Sequence, residues 1–378
     1  MSLGPEELQR YARHLVLPQV GREGQERLRE ASVLVVGLGG LGSPAVLYLA
    51  AAGIGRLGLI DDDVVAVHNL QRQVLHDSGA VGTPKTASAR ARLEALNPHV
   101  RVETWQTRLT SANARGIIAD YEVVLDGTDS FATRYLVNDA CVLEHRPNVH
   151  ASIHRFEGQL TVFGDEGAPC YRCIHPEPPV PGSVLDCAEG GVLGVLPGIL
   201  GTLQATEALK LILGIGTSMR GRLLVIDALS MRFHEMALEA DPACAWCGTR
   251  RASALLDDYA AFCGAAPPTP TPSLERAIVP IALAARLARG ESVVLDVRES
   301  WEVDAAPFEG ARHLPMTQVP ARHAELPRDR EIVVLCHHGQ RSAMVADYLR
   351  TAGFPRVLNL TGGIDRWSVE VDPSVPRY

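Results

Sequence analysis

The chain has 378 residues, 46% hydrophobic and 21% charged, the composition of a globular protein with material for two or three domain cores. A formal net charge of -8 excludes the dense positive surface on which non-specific nucleic-acid binding depends. The opening MSLGPEELQRYARHL is too polar for a secretory signal, and no apolar stretch reaches the ~20 residues that span a bilayer, so a cytoplasmic protein without membrane contact is expected.

Along the first two-thirds of the chain, the apolar runs SVLVVG, RLGLID, HVRVETW and YEVVLDG predict strands, with helical stretches between them. This alternation predicts an α/β fold: a Rossmann-like domain with a mostly parallel sheet covered by helices. The first strand runs into GLGGLGS, where Gly37, Gly39 and Gly42 complete a GxGxxG turn before a predicted helix. Such a turn lets the backbone and the free N–H groups of a helix start approach a phosphate. The second strand ends at Asp61, Asp62 and Asp63, about 20 residues on, where a carboxylate can accept hydrogen bonds from a ribose. On these two features alone the reading is an NAD-dependent oxidoreductase.

The next segment, HNLQRQVLHDSGAVGTPK, favours a different nucleotide by adding Asn69, Arg72 and Lys85. Of 36 basic residues only Lys85 and Lys210 are lysine. Lys210 ends an apolar helical pattern, where a cation suits the helix dipole; Lys85 follows Pro84 at a predicted helix start, where a cation is unfavourable unless an anion binds beside it. A planar guanidinium and a compact ammonium together suit the charge that develops in nucleotidyl transfer from a triphosphate. The strand YEVVLDGTDS then delivers Asp126 and Asp129 to the carboxyl edge of the sheet, where ligands of open parallel sheets bind. Asp129, beyond the strand, is the candidate magnesium ligand, and Asp126 is expected to cap or orient it.

Eight cysteines in such a chain suggest metal or redox chemistry. Cys170 and Cys173 form one CxxC pair and Cys244 and Cys247 another, a set suited to tetrahedral zinc, but the stretch of about 70 residues between them exceeds a zinc ribbon and leaves the pairing open. Cys187 stands in the glycine-bearing stretch PGSVLDCAEGGVLG before a predicted helix, while Cys141 and Cys263 are expected to be small buried hydrophobes. The tract GAAPPTPTPS has the composition of a semi-rigid linker and sets the expected boundaries: a first domain over 1–262, a linker over 263–273 and a second domain over 274–378.

The second domain repeats the alternation in smaller form, with ESVVLDV, EIVVLC and RVLNL as strands and ALAARLARG and SAMVADYLRTAG as helices. In EIVVLCHHGQRSAMVADYL a strand ends in Cys336, and a tight loop leads to a helix beginning near Arg341. A cysteine facing the N–H groups of a helix start, with an arginine beside it, has its thiolate stabilised and is a nucleophile at neutral pH. His337 and His338 are expected to be exposed and tolerated, and Asp296 and Arg298 to brace the fold.

Together GLGGLGS, NLQRQ, VGTPK, LDGTDS, RFEGQLTVF, PCYRC and CAEGGVLGV resemble the ubiquitin-activating-enzyme superfamily over roughly residues 5–250, and within it the molybdopterin-synthase and sulfur-carrier adenylyltransferases. The resemblance implies a homodimer that adenylates the C-terminal glycine of a ubiquitin-like sulfur carrier ending in Gly-Gly. It matches Gly40, Asp61, Asn69, Arg72, Lys85 and Asp129 to an ATP and magnesium site that also takes in Leu70 and Gln71, and Arg13 to an arginine reaching ATP from the other subunit. His68 stands where serine is usual and Ser130 where asparagine is common; neither change removes a charge the chemistry needs. The resemblance also implies structural zinc on Cys170, Cys173, Cys244 and Cys247, and an acyl- or sulfur-transfer role for Cys187. LDVRESWEV, CHHGQR and NLTGGIDRW resemble the rhodanese family over about residues 275–378, with Cys336 as persulfide carrier; four residues separate Cys336 from Arg341, one fewer than in related phosphatases. The combined expectation is a carrier thiocarboxylate made with sulfur from thiosulfate or a cysteine desulfurase, for molybdopterin, thiamine, an amino acid or tRNA. The alternatives are an NAD oxidoreductase with a rhodanese module and a sulfur-relay scaffold without adenylation.

Overall fold

The computed structural model describes residues 3–164, 167–179, 191–249, 252–264 and 276–378. The chain divides into two compact units, Met1–Ala265 and Ala266–Tyr378. Most of the proline-rich tract, residues 265–273, lies outside the described residues, as does Cys187.

Unit one is built on an eight-stranded sheet: β1 (Ser32–Val36), β2 (Arg56–Ile60), β3 (Arg101–Trp105), β4 (Val123–Asp126), β5 (Asn148–His154), β6 (Glu157–Phe163), β7 (Arg222–Asp227) and β8 (Arg232–Ala237). The spatial order is β3-β2-β1-β4-β5-β6-β7-β8. Pairing is parallel from β3 to β5 and antiparallel from β5 to β8. Because strand side chains alternate faces, Val33 and Val35 enter one apolar cluster while Leu34 and Val36 enter another, and all four are buried. A strand buried on both faces needs an unbroken apolar run, which is why SVLVV was legible. At the far edge β8 is exposed along its whole length. The order reverses at β1, with β2 on one side and β4 on the other; in open parallel sheets such a switch point opens a crevice at the strand carboxyl ends.

Unit two is a five-stranded parallel sheet of β9 (Ala277–Ile278), β10 (Ser292–Asp296), β11 (Arg312–His313), β12 (Glu331–Leu335) and β13 (Val357–Leu360), ordered β11-β10-β12-β13-β9. β12 is central: Ile332 and Val334 pack into one core cluster and Val333 and Leu335 into the other. Cys336 follows at its carboxyl end. No helix among the described residues is long and apolar enough to cross a membrane.

Candidate nucleotide and sulfur sites

The switch point of unit one opens into a cavity of about 670 Å³ lined by the glycine turn, the Asp61–Asp63 strand end, Arg72, Lys85, Asp129 and Ser130. The turn is as tight as its composition requires: a Cβ on Gly42 would lie 2.0 Å from the Gly37 carbonyl oxygen. Asp61 ties this loop to its neighbours, its carboxylate accepting from the Leu38 N–H at 2.7 Å and the Asp63 N–H at 2.8 Å. Burial pushes the Asp61 carboxyl above its ordinary range, against the pull of Lys85 and those two N–H groups. Asp126 is fully buried and accepts from His150 Nδ1 at 2.9 Å and the Thr128 hydroxyl at 2.6 Å. Burial acts to raise it, but the His150 contact, with Arg134 and Thr128, holds it below the usual carboxylate value. Asp126 therefore braces the loop, whereas Asp129 is exposed in the cavity wall.

Lys85 begins the helix Lys85–Leu96 and is almost wholly buried. Its ammonium does have an anionic neighbour, Asp63 Oδ2 at 2.7 Å, a partner that spacing along the chain does not reveal. Arg72 lines the cavity and donates from Nη1 to the His68 carbonyl at 3.1 Å. Asn69 is buried in a 3₁₀ turn, its side-chain oxygen accepting from the Ala66 N–H at 3.2 Å. His68, Asn69, Leu70 and Gln71 are outside the cavity lining, and Gln71 sits so close to Gly194 that a Cβ there would meet its Oε1 at 2.2 Å. Arg13 is exposed on the short helix Ala12–Leu15 and also lies outside the lining. The structure adds Arg108, Arg134 and Tyr259 to the cavity wall. Arg134 could have been suspected, since it falls in the first turn of the helix Phe131–Leu143 that follows Asp129.

The fold closes the gap between the two CxxC pairs. Sγ–Sγ distances are 3.9 Å for Cys170–Cys173, 3.6 Å for Cys170–Cys244 and 3.2 Å for Cys173–Cys247. All four sulfurs lie within 4.8 Å of one another, against about 3.8 Å for the edge of a zinc–thiolate tetrahedron with ~2.3 Å bonds. Contact with the Cys170 thiol holds the Cys247 thiol down at about 5. The set fits a four-coordinate thiophilic metal. Beside it Arg172 pairs with the buried Asp139 at 2.7 Å, among the rings of Tyr135, Trp246 and Phe262. Cys141 is buried in a core cluster and Cys263 is partly buried against the same cluster.

In unit two the sulfur of Cys336 accepts from the Gly339 N–H at 3.1 Å and the Ser342 hydroxyl at 3.2 Å, a pair of donors that favours charge on sulfur. The helix behind it, Gln340–Thr351, begins one residue before Arg341. Close approach shapes the loop from the other side, because a Cβ on Gly363 would lie 2.2 Å from the His337 carbonyl oxygen. The Arg341 guanidinium is not free: Glu302, 4% exposed, grips it at 2.7 and 2.6 Å. Asp296 and Arg298 form a fully buried pair at 2.6 Å. The expectation of two exposed histidines is corrected for His337, which is half-buried between His338 and Tyr378, with ring centroids at 3.9 and 4.2 Å. Burial and then the charge of His338 hold it down at about 4. Glu302 stands four residues after Arg298 in RESWE, but nothing in that spacing points to Arg341; Tyr378 carried no signal.

Each unit matches a known family. Residues 11–246 match the ThiF family and residues 280–370 the rhodanese-like domain. A probable adenylyltransferase/sulfurtransferase, MoeZ of Mycobacterium tuberculosis, is 43% identical over 385 aligned positions, covering 100% of this chain and 97% of that protein. A sulfur carrier protein adenylyltransferase of Thermus thermophilus is 53% identical over 265 positions, 68% of this chain and 97% of that one. Among solved structures, E. coli MccB with AMPCPP and MccA matches with a TM-score of 0.57 at 21% identity, over 64% of this chain and 75% of that chain, a likeness of fold. The chain therefore belongs to the ThiF family and carries a rhodanese-like domain after its ThiF region.

Proposed function

We propose that the chain adenylates the C-terminal glycine of a ubiquitin-like sulfur carrier and then converts it to a thiocarboxylate with sulfur carried on Cys336. The observation that carries the first half is convergence: Arg72, Lys85 and Asp129, scattered over about 60 residues, line one cavity with the glycine turn. A terminal carboxylate oxygen of the carrier attacks the α-phosphorus of ATP, and the bond to pyrophosphate breaks. Gly40 and the turn admit the phosphates, Asp61 faces the ribose, and Arg72 and Lys85 stabilise the charge that develops. Asn69 sets the turn that presents Arg72, with His68, Leu70 and Gln71 completing it; Ser130 starts the wall beside Asp129. Asp129 would hold magnesium, which supplies charge neutralisation on the triphosphate. Arg13, exposed and outside its own cavity, suits donation to the other copy in a homodimer.

The second half rests on the donors around the Cys336 sulfur, with Arg341 beside them. The outer sulfur of a Cys336 persulfide attacks the acyl carbon and AMP leaves, giving an acyl disulfide. A thiol must then break the S–S bond, releasing the thiocarboxylate and leaving a disulfide to Cys336 that an external thiol reduces. Cys187 is our choice for that thiol. Cys170, Cys173, Cys244 and Cys247 would hold a structural zinc with no open position, tying two distant segments together. We assign residues 1–262 to adenylation, 263–273 to the linker and 274–378 to sulfur carriage. Thiosulfate or a cysteine desulfurase supplies the sulfur. We place the chain in a reducing, cytoplasmic setting, where thiols stay available for metal binding and persulfide chemistry.

The test is ATP–pyrophosphate exchange with a carrier ending in Gly-Gly, followed by mass spectrometry of that carrier. An AMP adduct and then one sulfur in place of one oxygen are expected. Tight NAD binding without exchange would restore the oxidoreductase reading. Sulfur transfer in a chain whose exchange is absent, and unchanged by Asp129→Ala, would leave only a relay scaffold.

A further inference from the structure

The Cys336 loop is held by a side chain far from it in sequence. Tyr378 places its ring 4.2 Å from that of His337, at an interplanar angle of 20°, and edge-on to Trp301 at 5.7 Å. Its hydroxyl accepts from Arg298 Nη1 at 3.0 Å and donates to Glu302 Oε1 at 3.1 Å. That carboxylate is the one that grips Arg341, and it also accepts from the Glu299 N–H at 2.9 Å. A single phenol thus touches both ends of the loop: His337, next to the sulfur, through its ring, and Arg341 through Glu302. Burial, then the opposing contacts with Arg298 and Glu302, leave its hydroxyl pushed up to about 12, so it remains a donor at neutral pH.

We propose that Tyr378 is a positioning residue for sulfur transfer, fixing the Cys336 loop between its ring contact to His337 and its hydroxyl contact to the Glu302–Arg341 pair. The geometry separates this role from a brace of the fold. Arg298 keeps three bonds to Asp296 and two to backbone carbonyls without the phenol, and Glu302 keeps Arg341 and the Glu299 N–H. Removing the hydroxyl therefore loosens the loop without stranding a buried charge. The proposal rests on Cys336 as the sulfur carrier.

The experiment uses the full chain with thiosulfate as donor and cyanide as acceptor. Sulfite leaves as the sulfane sulfur bonds to Cys336, and thiocyanate leaves as the thiolate is restored. Activity is normalised to the Cys336 that mass spectrometry finds persulfidated. Tyr378→Phe keeps the ring, and should lower kcat by about threefold to tenfold, the range of one lost hydrogen bond, with KM changed by less than about twofold. Tyr378→Ala should lower kcat further. It should also raise the His337 titration, followed by NMR, from about 4 toward 6.5, with His338, Asp365, Glu302 and Arg341 still facing the ring. Tyr378→Phe should leave that titration in place, a split that a general loss of stability cannot produce. Full kcat per persulfidated Cys336 in Tyr378→Phe overturns the proposal, and this variant decides alone if Tyr378→Ala does not fold. An inactive wild type, or one whose activity survives Cys336→Ala, removes sulfur carriage itself and the proposal with it.

Discussion

Asp139→Ala should selectively weaken the first unit by exposing a buried cation to unfavourable surroundings. Asp139 is completely buried and accepts from Arg172 Nε at 2.8 Å and Nη2 at 2.7 Å, from the Tyr259 hydroxyl at 2.7 Å and from Asn138 at 2.9 Å. Removing one partner of such a pair costs about 3–5 kcal/mol, because the remaining charge has lost both its counterion and water. The rings of Phe262, Tyr135 and Trp246, 4.6 to 4.8 Å from the Arg172 guanidinium, recover part of this, which places the expectation at the lower end, ~3 kcal/mol. For a unit of this size each kcal/mol is worth about 2–4 °C in Tm, so a fall of about 6–12 °C is expected. Differential scanning calorimetry of the full chain is the assay. The transition of unit one should move while that of unit two stays, since Asp139 and its described partners Arg172, Tyr259 and Asn138 lie within Met1–Ala265. A shift under about 2 °C, or equal movement of both transitions, would refute the claim that this pair is a local buried keystone.

Cys336→Ala should abolish thiocarboxylate formation yet leave pyrophosphate exchange within about twofold of wild type, because the described residues that line the nucleotide cavity belong to Met1–Ala265. If Cys170, Cys173, Cys244 and Cys247 hold the proposed structural zinc, treatment with a strong chelator should lower the Tm of unit one and raise the number of thiols that react with a thiol reagent, because a metal held by four thiolates contributes to folding; an unchanged Tm and thiol count would remove the metal from the proposal. His337 gives a pH dependence of definite sign. Its folded value of about 4 lies below the ordinary 6.5, so between those values the unfolded chain binds more protons. Unit two should therefore hold this contribution above pH 6.5 and lose it as pH falls toward 4, and His337→Asn should flatten that limb of a denaturation series.

What the sequence made legible follows from the range of each signal. Strands buried on both faces announce themselves as continuous apolar runs, and the strand, loop and helix around Cys336 are contiguous, so the geometry of that loop was local information. β8 gave no such signal because it is exposed throughout, and no apolar alternation marks RFHEMA. The two CxxC pairs were visible as pairs, but only the fold brings Cys173 to Cys247. Long-range partners were invisible for the same reason. Asp63 lies 22 residues from Lys85, Glu302 lies 39 from Arg341, and Tyr378 lies 76 from Glu302. Family resemblance supplied residue matches across such gaps. It said nothing of the contacts that hold those residues in place.

The Lys85–Asp63 pair decides how the nucleotide cavity treats its two charges. The lysine is 6% exposed and its partner carboxylate 66% exposed, so the ammonium is fixed by burial while Asp63 reaches it from the solvent side. An ion pair with one partner in water contributes at most about 1 kcal/mol, so an incoming phosphate can displace Asp63 at small cost. If that is its role, Asp63→Asn removes a competitor, and magnesium-free ATP should bind about twofold to fivefold more tightly by calorimetry. If Asp63 instead joins Asp129 in holding magnesium, the same substitution weakens ATP binding in magnesium and leaves magnesium-free binding unchanged. The geometry favours competition, because the carboxylate oxygen nearest the lysine is already 2.7 Å from Nζ. Weaker binding confined to the magnesium titration would reverse that assignment and make the Asp61–Asp63 strand end part of the metal site.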